Sequence, residues 1–180
     1  GGPRTGVERM VDEGHAWQAA LWAARRVGAA GTVAVEAAAT GHLVFGTLHT
    51  INAPKTVDRV IEVFPHEEQS QIRNTLATSL KLVVAQNLFK RVDPEKKGRV
   101  AALEIMVGTS AIQNLIRENK TFQIPSQIQT GKKQGMVDLD TAIMELLTKK
   151  IIAAEEAFEK CVDKTKFLPF LKETPADFFG

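Results

Sequence analysis

The chain is short of three things: cysteine, net charge and long apolar runs. Its single cysteine is Cys161. One thiol closes no internal disulfide and cannot by itself build a four-ligand zinc site, so the chain reads as the product of a reducing compartment, with Cys161 as a core residue. No stretch approaches the roughly 18 consecutive apolar residues of a membrane span, and the charged, apolar, small-residue order of a secretory leader is missing. A cytoplasmic location is expected, at most peripheral to a membrane assembly. A net charge of +2 exerts little pull on nucleic acid or anionic lipid. Aromatics at 6% leave few platforms for base stacking. What is present, 44% hydrophobic and 24% charged residues in a chain of 180, suits a globular protein with a real core.

Residues 1–31 are rich in glycine, alanine and arginine. Alanine content predicts a helix over 15–26, broken by Gly28 and Gly31. Leu43-Val44-Phe45-Gly46-Thr47-Leu48 is an apolar run between Gly41 and Asn52-Ala53-Pro54, which predicts a buried strand. Pro54 suits the first turn of a helix that carries Val57, Val60 and Ile61 inward and ends at Phe64-Pro65. Glu67 and Glu68 favour a helix start, and Ile72, Leu76 and Leu80 follow at helical spacing. Val83 to Phe89 fits a strand or a continued helix. The polar turn Asp93-Pro94-Glu95-Lys96-Lys97-Gly98 leads into a strand from Arg99 to Val107, with Glu104 as its lone charge after Arg99, so a hairpin is expected.

Helices are expected for the remainder. Ser110 caps one that holds Ala111, Ile112, Leu115 and Ile116 on one face. Pro125 opens a second, closed near Gly131. Asp138 caps a third, with Leu139, Ile143, Leu146 and Leu147 inward and Lys149 and Lys150 at its C-terminal end. Residues 153–162 make a fourth. Strands followed by small helices predict an α/β core with an appended helical unit. The basic pairs Lys96-Lys97 and Lys132-Lys133 read as solvated loops, and neither His15 nor His66 has a partner identifiable in the sequence.

The run Ala39-Thr40-Gly41-His42-Leu43-Val44-Phe45-Gly46-Thr47-Leu48-His49-Thr50 closely resembles the histidine box of the secretion-superfamily ATPases, the hexameric motors of type II secretion and type IV pili. Lys55 to Ile61 and Phe64-Pro65 continue the likeness. Ala111-Ile112-Gln113-Asn114-Leu115-Ile116-Arg117-Glu118 resembles the signature helix of the pilus-retraction, twitching-motility branch, in which most members have arginine where Gln113 stands. Ile128-Gln129-Thr130-Gly131, Gly135-Met136 and Asp138-Leu139-Asp140 also fit. The pilus-extension branch usually carries a four-cysteine metal site, which one cysteine disfavours.

The resemblance covers about residues 32–165. It implies α/β, a partial RecA-like ATPase core over 32–108, a helical subdomain over 109–180, and an atypical segment over 1–31. It also implies ATP and Mg2+ as cofactors, a homo-oligomeric, hexameric ring, and the type IV pilus inner-membrane platform as partner, with no nucleic acid. The family's glycine-rich phosphate loop ending in Gly-Lys-Ser/Thr does not occur in these residues. Its acidic segment is not recognisable either, since 27–35 contains no acid and Glu36 is the nearest carboxylate. A piece of a motor, unable to hydrolyse ATP alone, is the expectation.

By the same resemblance His49 is the leading candidate for a catalytic, phosphate-sensing group, with Thr50 beside it. Thr40, Gly41, Thr47, Thr50 and Arg59 are candidate nucleotide contacts. Gln113, Asn114, Arg117 and Glu118 are candidates for coupling to the pilus machine; Gln113 and Arg117, four apart, are expected to share a polar face. No metal ligands are identified. His42, the second catalytic candidate, lies seven residues before His49. On a continuous strand that offset points to the opposite face and spans roughly 23 Å, so the two rings do not share one ligand unless the chain turns between them. Site residue and packing residue both remain open for His42. Two further classes stand beside the motor: a non-catalytic assembly module of the same machine, which the missing loop favours, and a nucleic-acid-binding helical domain, which charge and aromatic content disfavour.

Overall fold

The computed structural model describes residues 34–93 and 98–171. The helix expected over 15–26 and most of the expected turn at 93–98 lie outside the described residues.

Helical residues at 34–39 come first. Helix α1, Ala53–Glu62, is capped by Asn52, whose side chain accepts from the Lys55 N–H at 3.0 Å, and Pro54 sits in its first turn. Both features suit donors that lack an intrahelical partner. Ala53, Pro54, Val57 and Ile61 turn inward, and Val60 is half-buried. Helix α2, Gln69–Ser79, follows Glu67 and Glu68 and buries Leu76 and Ala77.

Strands β1, Leu82–Lys90, and β2, Arg99–Val107, form an antiparallel pair in the register Val84↔Ile105, Ala85↔Glu104, Phe89↔Val100. The hairpin therefore forms as expected, and the ambiguous 83–89 run is strand. Period-2 alternation turns Val83, Ala85 and Phe89 inward, while Leu82, Val84 and Leu88 face outward. On the far edge of β2, Ile105 exchanges two backbone hydrogen bonds with Val137, at 2.8 and 3.0 Å.

Four helices follow: α3 Ser110–Arg117, α4 Ile124–Thr130, α5 Leu139–Thr148 and α6 Ala154–Lys160. Pro125 and Gly131 bracket α4, and Asp138 caps α5 by accepting from Thr141 N–H at 3.0 Å. The cap of α3 is Thr109, one residue before the expected Ser110: its side chain faces the Ile112 N–H and Ser110 is already helical. Ala111 is exposed, so the buried stripe of α3 is Ile112 and Ile116, with Leu115 partly covered.

These elements pack around two apolar cores. The first gathers Val57 and Ile61 of α1, Leu76 of α2, Val83, Met106, Ile112 and Ile116 of α3, and Ile124 and Ile128 of α4. The second gathers Phe89, Ala102, Leu139, Ile143, Ile152, Ala157, Cys161 and Phe167. The hairpin contributes to both. The Cys161 thiol is buried and donates to the Phe158 carbonyl at 3.2 Å.

The strand expected at 43–48 does not form. Residues 42–50 have no regular secondary structure, and Leu43 and Phe45 are 45% and 63% exposed. A buried strand needs neighbours on its edges and cover on its faces. Among the described residues the only sheet is the β1–β2 pair, and no strand lies beside 43–48.

Candidate functional site

The box begins at the end of the 34–39 helix. Gly41 adopts φ +93, a left-handed conformation that glycine takes without a Cβ penalty. The Gly41 N–H donates to Ala38 O at 3.2 Å and the His42 N–H to Ala37 O at 3.0 Å, the two bonds of a Schellman closure. The Thr40 hydroxyl folds back onto Ala37 O at 2.9 Å. The His42 ring joins this cluster, with Nδ1 at 3.1 Å from Thr40 Oγ1 and 3.2 Å from Ala37 O. His42 is thus exposed and tied to a helix end; it is not a core packing residue.

The other end of the box reaches α1. Thr50 Oγ1 lies 2.7 Å from Thr56 Oγ1, which donates to Asn52 O at 2.9 Å. Asn87 of β1 donates to Ile51 O at 3.1 Å. Residues 50–52 are therefore pinned to both α1 and the hairpin. His49 is exposed just ahead of that anchor, beside the amino end of a helix with no acid in its first turn. The partial positive charge there is already met by the Glu104 carboxylate, which accepts from the Ala53 N–H, and by the Asn52 cap. Thr47, exposed, lies between the two clusters. Arg59 sits in the last turn of α1, about 10 Å of helix rise from the cap. It faces Glu62 at 3.8 Å, with both side chains mostly in solvent, so His49 and Arg59 occupy opposite ends of α1.

Of the coupling candidates, Gln113, Asn114 and Arg117 lie on α3 and Glu118 is its C-cap. The Arg117 guanidinium donates to Asn114 Oδ1 at 2.8 Å, and Lys120 pairs with Glu118 at 2.8 Å. Gln113 stands four residues before Arg117, at the edge of this face. It is half-buried, and its amide donates back to the Gly108 carbonyl at 3.3 Å. The exposed polar face comprises Asn114, Arg117, Glu118 and Lys120.

A residue that sequence reasoning registered only as a lone charge proves central to the geometry. Glu104 is 5% exposed. Its Oε1 accepts from the Ala53 N–H, the first of α1, at 2.6 Å. Burial pushes its carboxyl above the ordinary value of 4.5, against the Ala53 and Leu139 N–H groups that favour the charged form; the Asp138 and Asp140 charges add to the rise. Asp140, also buried, accepts from the Val162 and Asp163 N–H groups at 2.8 and 3.0 Å. A charged residue breaking an apolar strand was the available signal. The partners, 51 residues earlier at Ala53 and at Leu139, were not visible in the sequence.

The described residues do not by themselves fit ATP with Mg2+. They offer an exposed imidazole and hydroxyls near a helix start, but the lysine-bearing glycine loop is absent from the sequence. Among the described residues no group of three or more His, Cys, Asp or Glu side chains could hold a metal ion. A groove of about 250 Å³ between β2 and α5, lined by Ala102, Leu103, Ile105, Val137, Leu146 and Ile151, contains no box residue.

Comparison with known proteins gives a consistent match. The family model described as type II/IV secretion system protein matches residues 26–159. The chain is 53% identical over 128 residues to the type IV pilus retractation ATPase PilT of Pseudomonas aeruginosa, covering 71% of this chain and 36% of that protein. It is 50% identical over 125 residues to a twitching motility protein of Neisseria gonorrhoeae, covering 69% and 33%. Among solved structures, the pilus retraction motor PilT with bound ADP superposes with TM-score 0.65 at 36% identity, covering 75% of this chain and 37% of that one. The Legionella pneumophila ATPase DotB superposes with TM-score 0.61 at 25% identity, covering 74% and 36%. The chain thus spans about a third of the length of the relatives it matches.

Proposed function

Because the chain belongs to the type II/IV secretion system protein family, we propose that it is the C-terminal, motor-core portion of a hexameric ATPase that powers type IV pilus retraction and twitching motility. Its fold is the α/β, RecA-like fold of the secretion ATPases, present in part. In this reading 32–108 is the partial ATPase core and 109–180 the helical subdomain. The observation that carries it is the 53% identity over 128 residues to a pilus retractation ATPase. His49 and Thr50 contribute one wall of an ATP–Mg2+ site whose phosphate cradle lies outside these residues. Asn114, Arg117 and Glu118 face the pilus inner-membrane platform from the cytoplasmic side. Among the described residues no helix is long and apolar enough to cross a membrane.

The test is a chimera in which residues 34–165 replace the matching segment of the Pseudomonas aeruginosa retractation ATPase. Twitching is expected to return, and His49→Ala in the chimera to remove it. Calorimetry on this chain with Mg2+ is expected to show no ATP binding at millimolar nucleotide. A stable chimera that assembles but neither hydrolyses ATP nor retracts pili would favour the non-catalytic assembly module. Micromolar ATP binding by this chain, lost in His49→Ala, would mean a site built without the usual loop.

A further inference from the structure

A hydroxyl carries one proton and a carbonyl oxygen none, and at both ends of the histidine box this fixes which atom donates. At the first end, His42 Nδ1 lies 3.1 Å from Thr40 Oγ1 and 3.2 Å from the Ala37 carbonyl oxygen. The Thr40 hydroxyl donates to the same helix end, 2.9 Å from Ala37 O and 3.2 Å from Glu36 O. Its proton is thereby spent on a carbonyl. A bare Nδ1 would set its lone pair against two oxygens with no hydrogen between, whereas a protonated Nδ1 serves both. The ring is held as the Nδ1–H tautomer, and its neutral form carries a bare Nε2. His42 is exposed, and Nε2 lies on the side of the ring away from the helix end. At the second end, Thr56 Oγ1 spends its proton on Asn52 O at 2.9 Å. The 2.7 Å contact between Thr50 Oγ1 and Thr56 Oγ1 is then donated by Thr50. Thr50 keeps only lone pairs for any other partner.

We propose that the box presents acceptors at both ends, His42 through Nε2 and Thr50 through Oγ1, and that the ligand they take is a hydrogen-bond donor of the class of water or a hydroxyl. A phosphate oxygen is an acceptor like themselves and is not their partner. Among the box candidates, donation to an anion falls to His49 and Thr47. Thr40 and Thr56 are positioning residues: one sets the tautomer of the ring, the other the direction of the Thr50 hydroxyl. That the donor is a water of a nucleotide site rests on the function proposed above; the tautomer and the hydroxyl direction do not.

The experiment is nitrogen-15 NMR of the histidine rings in the full chain, at about pH 8, above the ordinary histidine value of about 6.5. His42, assigned through its own backbone amide, is expected with its proton on Nδ1 and with Nε2 bare. Thr40→Val removes one of the two acceptors and is expected to move the ring toward the Nε2–H form. A wild-type ring protonated on Nε2 would overturn the proposal, whatever the variants do. Inorganic phosphate at the same pH is expected to leave the His42 Nε2 signal and the Thr50 amide in place. In Thr56→Val, which releases the Thr50 proton, the Thr50 amide is expected to respond. A saturable phosphate shift of either wild-type signal would overturn the assignment at that end. In the chimera described above, His42→Gln places an acceptor where Nε2 stands, and His42→Asn keeps only a donor where Nδ1 stands. Twitching is expected to survive Gln better than Asn. The reverse order would mean that His42 only closes the helix, and would overturn its role as acceptor. Twitching indifferent to both, with the ring still in the Nδ1–H form, would sink the nucleotide reading of this end alone.

Discussion

A carboxylate between two apolar cores is costly to bury, and the Ala53 N–H at the start of α1, which donates to Glu104, offsets part of that cost. Truncation by Glu104→Ala leaves the Ala53 N–H without its acceptor and is expected to destabilise the chain by about 1–3 kcal/mol, measured by urea unfolding. The pH dependence has a defined sign. Burial raises the folded-state pKa above 4.5, so the folded chain holds a proton that the unfolded chain has released over that interval. The stabilising contribution is full below the unfolded value and is lost as pH rises through the folded one. Wild-type stability relative to Glu104→Gln is therefore expected to fall from mildly acidic to neutral pH. Glu156 acts in the opposite sense. Burial opposes its ionisation, but the Lys90 N–H and the Lys160 ammonium outweigh it and lower its pKa, so its contribution is lost as pH falls. Comparison against Glu104→Gln cancels that background.

At the scale of elements, the junction of β2 and α3 permits little change. A Cβ on Gly108 would lie 2.1 Å from the Leu80 carbonyl oxygen. That atom is backbone, so Gly108→Ala forces the chain apart and is expected to cost several kcal/mol, on the order of 3. Asn52→Ala removes a helix cap and is expected to cost about 1 kcal/mol, readable as a lower thermal midpoint. The hairpin and the helical stripes were legible because periods of 2.0 and 3.6 show in the residues themselves. Pro54, Gly131 and Asp138 marked boundaries by chemistry that works locally. The 43–48 run misled because strand formation depends on an adjacent strand, which an apolar run does not reveal. Thr109 and Ser110 are interchangeable as capping types, so only geometry selects Thr109. Gln113 is half-buried at the edge of the polar face because its amide reaches back to the Gly108 carbonyl, a partner that helical spacing does not reveal. For the candidate site, the box and the α3 helix were legible as motifs, whereas Glu104 depends on partners distant in sequence.

For the molecule as a whole, the hairpin joins the two cores: Val83 and Met106 belong to one, Phe89 and Ala102 to the other. Phe89 is fully buried, and Phe89→Ala is expected to cost about 3–5 kcal/mol. Because β1 is continuous between the cores, the loss should also speed hydrogen exchange at Ile112 and Ile116, which Phe89 does not touch within its own cluster. Loss of protection confined to the second core would show that the two open independently. Cys161 supplies a way to time such opening. Burial raises its pKa and keeps its thiol inside the second core, so an alkylating reagent in solution waits for the core to part before it reacts. As this is the only cysteine in the sequence, the rate of its labelling is a stopwatch for one defined breathing motion, readable without adding a probe to the protein.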